Sequence, residues 1–210
     1  TLGLPPSVAR ALAVPLVQAF GQQLPEARLS ITEALSASMQ EQLASGRLDI
    51  AVLYNAQPVP GLDIAPLARD ELLLVQRAPA PEGPASAIAL RELTRLPLVI
   101  PSRPNAIRMH VETVMAAAGC APRVALEIDG VATILELVEG GAGSAILSRH
   151  ALAGVARPGA FALRPIQAPD GQPLHIPLYT AVSALRPGSA PQQAALALLR
   201  AQAQQHLGSF

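Results

Sequence analysis

Lysine is absent from this chain of 210 residues. Without an ε-amino group there is no Walker A phosphate loop and no Schiff-base chemistry. Tryptophan is missing too, and aromatic residues make up 2% of the sequence, too few to build a platform on which nucleic-acid bases stack. One cysteine, Cys120, excludes an internal disulfide and a multi-cysteine zinc site. It is read as a buried or idle thiol rather than a nucleophile. Half of the residues are hydrophobic, yet Arg, Gln, Glu or Pro breaks every run before the roughly 20 apolar residues of a membrane helix. Neither sign of charge is in excess, because 15 basic residues meet 15 acidic ones. The arginines are scattered, so the chain carries no phosphate-binding footprint. His110, His150, His175 and His206 share no metal-ligand spacing. These absences point to a non-enzyme without cofactor or metal, making no membrane contact and residing in a reducing compartment such as the cytoplasm.

What is present is an alternation of strand and helix patterns. Val8, Leu12, Leu16 and Phe20 stand at helical spacing, with Pro15 expected to kink or restart the helix and Ser7 to cap it. Leu29 and Ile31 alternate with polar residues as in a strand, and Ser36 opens a short helix that Gly46 ends. The run Leu48–Leu53 is almost wholly apolar, as in a strand buried on both faces of a parallel sheet. Two further strands are expected at Leu62–Leu67 and Leu72–Val75, followed by a Pro- and Ala-rich connection from Ala78 to Ser86. A second unit of the same kind follows. Its pattern is a strand at Leu96–Ile100, a loop from Pro101 to Asn105, a helix to Gly119, an alternating strand at Val124, Leu126 and Ile128, a helix carrying Ile134, Leu135 and Val138, and a buried strand at Ser144–Leu147. A late strand at Leu174–Val182 and an amphipathic helix from Gln192 to Leu207 close the chain. The fold class is α/β, in two Rossmann-like subdomains.

In open α/β sheets, ligands lie beyond the carboxyl ends of the strands, where helix starts present unpaired N–H groups. The polar residues at those turns are Ser7, Ser36, Ser102, Arg103, Asn105 and Thr133. Ser7, Ser36 and Asn105 also have a plain account as helix caps, and Arg103 as a solvated loop arginine. Asp49 is read as fixing local backbone, and the pair Asp70 and Glu71 as solvated residues at a hinge. Gly140, Gly141 and Gly143 follow a helix rather than precede one, so helix termination is preferred to a phosphate cradle.

Three segments, in this order and spacing, resemble the effector domain of LysR-type bacterial transcription regulators: VPLVQAFGQQLPEARLSITE (Val14 to Glu33), LASGRLDIAVL (Leu43 to Leu53) and ILELVEGGAGSAIL (Ile134 to Leu147). The segments IPSRPNAIR (Ile100 to Arg108) and EIDGVAT (Glu127 to Thr133) are most similar to the nitrogen assimilation control subgroup. The resemblance implies the type 2 periplasmic-binding-protein fold with a two-strand hinge, residues 1–70 plus 176–210 forming subdomain I and 71–175 subdomain II. It implies an effector in the interdomain cleft, touched by Ser7, Ser36, Ser102, Arg103, Asn105 and Thr133, although members of the nitrogen-control subgroup act without one. It also implies a homodimer, a tetramer in the full-length protein, and a winged helix-turn-helix outside this chain that contacts DNA. A periplasmic-type solute receptor, or a regulator domain that serves assembly alone, uses the same fold.

Overall fold

The computed structural model describes residues 1–78, 86–152, 159–186 and 188–208. The chain forms two compact units, Thr1–Asp70 with Pro177–Phe210, and Glu71–Ile176. Its first elements are β1 (Leu2–Leu4), α1 (Pro6–Gln23), β2 (Ile31–Glu33), α2 (Ser36–Ala44), β3 (Ile50–Tyr54), β4 (Leu62–Arg77) and β5 (Ile88–Ala89). Then come β6 (Leu98–Ile100), α3 (Ala106–Ala117), β7 (Val124–Glu127), α4 (Val131–Glu139), β8 (Ala145–Ser148), β9 (Phe161–Gln167), β10 (His175–Ser183) and α5 (Ala190–Leu207). The chain passes from one unit to the other within β4 and returns within β10.

In the first unit β1 lies between β2 and β3, parallel to both, with Leu2 beside Ile31 and Ile50. On its other side β3 runs antiparallel to β10, with Leu53 opposite Tyr179. All five residues of β3 are buried, as its unbroken apolar run requires. Met39 and Leu43 of α2 pack beside Leu48, Ala51 and Leu53, and Ala19 and Phe20 of α1 meet Leu198 of α5. Pro15 does not restart α1, which runs unbroken from Pro6 to Gln23. A proline inside a helix costs about 3 kcal/mol, whereas burying each large apolar side chain returns about 1.5–3 kcal/mol. Val8, Leu12, Leu16 and Phe20 are all buried on one face, so the face outweighs the break.

In the second unit Leu73 of β4 lies opposite Leu147 of antiparallel β8 on one side and Pro165 of antiparallel β9 on the other. β5 pairs with β9, and β6 pairs in parallel with β7. Leu98 also bridges to Ser144. The core gathers Val75, Val99, Ile134, Leu135, Val138, Ala145 and Leu147. At the end of α4, Gly141 takes φ +83, closed to most L side chains, and terminates the helix. Gly143 has a different task, because a Cβ there would stand 2.6 Å from the Pro97 carbonyl oxygen. The strand is admitted to its place only because that atom is missing.

Three expectations change. The two strands proposed within 62–75 are one, because the polar stretch between them stays extended as it leaves the first unit. Pro66 supports this by holding Ala65 away from helix. β7 forms where its alternation is read but is exposed along its whole length, and β9 went unread because Arg164 and Pro165 interrupt its apolar pattern. Of the connection read at Ala78 to Ser86, residues 79–85 lie outside the described residues.

Candidate functional site

The polar turns of each unit have a distinct construction. In the first unit Pro5, not Ser7, occupies the cap of α1, and Leu35 rather than Ser36 that of α2; neither offers a side-chain bond. The two serines instead converge on Tyr54, the last residue of β3. Ser36 Oγ accepts from the Tyr54 backbone N–H at 3.0 Å, and Ser7 Oγ lies 2.8 Å from the phenolic oxygen. That phenol donates to Asp70 Oδ2 at 2.5 Å. With the phenolic proton given to the carboxylate, the Ser7 hydroxyl is the donor toward Tyr54. Asp70 is therefore not solvated as the sequence suggested. It is fully buried, while Glu71 pairs with Arg149.

In the second unit Asn105 does cap α3, its side-chain oxygen accepting from the N–H groups of Ile107 and Arg108 at 3.0 and 3.2 Å. The Ser102 N–H donates to Asp129 Oδ1 at 2.9 Å, which ties the turn before α3 to the turn before α4. Thr133 is exposed in the first turn of α4. Arg103 is also exposed, and its guanidinium donates to Glu112 Oε2 at 2.7 Å. The structure thus brings Ser7 and Ser36 onto one tyrosine, and Ser102, Arg103 and Asn105 onto one turn. It makes no direct bond between Thr133 and the others.

Beneath this second turn lies Arg108, whose side chain is 8% exposed. Its Nε donates to Glu112 at 3.0 Å, one terminal nitrogen to the Pro101 carbonyl at 3.0 Å, and the other to Glu127 at 2.9 Å. The bond to Glu127 holds the guanidinium above its ordinary range and the Glu127 carboxyl below its own. His110, further along α3, is pushed down by burial, and its Nε2 faces the His175 carbonyl oxygen at 2.9 Å. Asp49 does fix local structure, its carboxylate accepting from the Thr1 hydroxyl and its backbone N–H donating to the Thr1 carbonyl. Cys120 is half-buried against the Met115 carbonyl.

Sequence reasoning missed Tyr54, Arg108, Glu112 and Asp129. For Arg108 a signal existed, since it shares the inward face of α3 with Val111 and Met115 and has Glu112 four residues on. Among the described residues no group of three His, Cys, Asp or Glu could hold a metal ion. No helix among them is long and apolar enough to cross a membrane.

Two α/β units joined by two strands, with polar turns at the helix starts, define a binding domain of the type 2 periplasmic-binding-protein class. A family model described as the LysR substrate binding domain matches residues 1–206. The chain belongs to that family and is a LysR substrate binding domain. Its fold is similar to that of the CcmR regulatory domain of Synechocystis PCC6803, solved in complex with 2-PG, at a TM-score of 0.82 and 20% identity over 95% of this chain and 94% of that one. The effector binding domain of QuiR in complex with shikimate also superposes at 0.82, with 16% identity and coverage of 98% and 97%. In sequence the chain is 28% identical over 152 residues to the nitrogen assimilation regulatory protein nac of Klebsiella aerogenes, covering 72% of this chain and 49% of that protein. The chain spans about half the length of the curated relatives it matches.

Proposed function

We propose that this domain senses a small polar or anionic metabolite through Ser7, Ser36, Ser102, Arg103, Asn105 and Thr133. In this reading the bound metabolite favours one hinge angle, and the change passes to DNA-binding domains elsewhere in a cytoplasmic regulator that dimerises, and tetramerises at full length. The observation that carries the reading is the exposed guanidinium of Arg103 in the turn that opens α3, which donates to Glu112 and, among the described residues, leaves the rest of its donor fork available. Such a fork suits a carboxylate. Two fold relatives solved with small molecules bound, 2-PG and shikimate, support the class of ligand. Moving a two-state equilibrium decisively takes about 5.5 kcal/mol of differential affinity, within reach of a few charge-assisted hydrogen bonds at about 1.5–3 kcal/mol each.

A screen of small carboxylates, shikimate among them, for thermal stabilisation tests this. At least one is expected to raise the melting temperature, and Arg103→Ala to abolish the rise. An unchanged rise in the variant removes Arg103 from the site. A second reading, a domain that serves assembly alone, has its own support in Val14 and Val17, which are 66% and 55% exposed on α1. Under it the screen returns nothing while sedimentation shows a firm dimer.

A further inference from the structure

Arg103, the exposed cation of the α3 turn, is already paired with a carboxylate that cannot easily leave. Its side chain is 61% exposed, while that of its partner Glu112 is 17% exposed. Glu112 is held from behind, because its other oxygen accepts from Arg108 Nε at 3.0 Å. Arg108 in turn is fixed by the Pro101 carbonyl and by Glu127. A clamped carboxylate facing an exposed guanidinium reproduces the contact that a ligand carboxylate would make. The surroundings add to the competition, since Glu112, Glu127 and Asp129 outnumber Arg103 and Arg108 around this turn.

We infer that Glu112 is an internal competitor that occupies Arg103 and sets how strong an anion must be to bind this turn. The inference rests on the proposed role of Arg103 as an anion ligand. A guanidinium carries five N–H donors in a fixed fork. A ligand with a single weak acceptor gains little by sharing that fork with Glu112. A dianion, or a carboxylate flanked by a hydroxyl, can use the remaining donors and outweigh the resident charge. Glu112 is thus a specificity-determining residue that rejects weak monoanions.

Inorganic sulfate is the probe, titrated into the chain, into E112Q and into E112Q combined with R103A, and followed by the backbone amide resonances of Ser102 and Asn105. Removing one resident negative charge at a part-exposed site is expected to tighten sulfate binding by about 3- to 10-fold in E112Q. The gain should vanish when Arg103 is also removed. Gln keeps an acceptor for Arg108, so the fold is expected to hold. Should E112Q not fold, Glu112→Asp keeps the charge beside Arg108 but retracts it from Arg103, and shows the same gain at smaller size. Equal or weaker sulfate binding in the folded variant, or a gain that survives loss of Arg103, overturns the inference. A carboxylate hit that R103A leaves intact would instead remove Arg103 from the effector site, with the sulfate comparison unaffected.

Discussion

Replacing Arg108 by methionine keeps an unbranched apolar stem and removes the guanidinium. The variant loses three hydrogen bonds, to Glu112, Glu127 and the Pro101 carbonyl. Breaking a fully buried ion pair costs about 3–5 kcal/mol because the orphaned charge stays buried. Here the orphans are better placed, since Glu127 is half exposed and Glu112 keeps Arg103. The expected loss is therefore smaller, about 2–3 kcal/mol, or a melting temperature lower by about 4–12 °C at this chain length. Arg103→Ala, which breaks only an exposed contact, should cost under about 1 kcal/mol. The pH dependence has a definite sign. Arg108 holds the Glu127 carboxyl below its ordinary value of 4.5, so its contribution is present above that value and is lost as pH falls through the lower folded one. The gap between wild type and Arg108→Met, measured by thermal melts followed by circular dichroism, should narrow below about pH 4.5. A variant as stable as wild type at pH 7, or a gap that widens on acidification, would show that the Arg108 network does not stabilise the fold.

Gly143→Ala places a Cβ 2.6 Å from the Pro97 carbonyl oxygen; backbone cannot swing aside as a side chain can, so a loss of about 1–3 kcal/mol is expected in urea unfolding. Tyr54→Phe deletes the phenol that joins Ser7 to Asp70 but leaves the backbone bond to Ser36, and should cost about 1.5–3 kcal/mol with the fold retained. Burial lowers the His110 pKa from 6.5, so below pH 6.5 the unfolded chain takes up the proton first and stability falls. His110→Gln, whose amide can still reach the His175 carbonyl, should flatten that fall below pH 6.5 in melts across the range.

The parts of this fold that could be read from sequence are those governed by neighbours along the chain. Gly46 and Gly141 end their helices where the apolar periodicity stops, Asn105 caps α3, and the unbroken apolar runs of β3 and β8 are buried as such runs must be. What escaped depends on partners distant in sequence. Ser7 and Ser36 precede helical patterns and so resemble caps, but Tyr54, 47 and 18 residues away, claims both hydroxyls. Asp70 beside Glu71 reads as a solvated pair until β4 carries it to the same tyrosine. Arg108 was hidden differently. An arginine on an apolar helix face is ordinarily taken as solvated, and Glu127, 19 residues on, completes with Glu112 and the Pro101 carbonyl the set of partners that makes its burial tolerable.

Binding of one metabolite through Ser7, Ser36, Ser102, Asn105 and Thr133, as proposed, is checked by backbone amide shifts recorded against a panel of small carboxylates and hydroxy acids. A compound is expected that moves the amides of Ser7 and Ser36 together with those of Ser102, Asn105 and Thr133, along one saturation curve. A panel that moves none of them, or moves those of one unit alone, contradicts it.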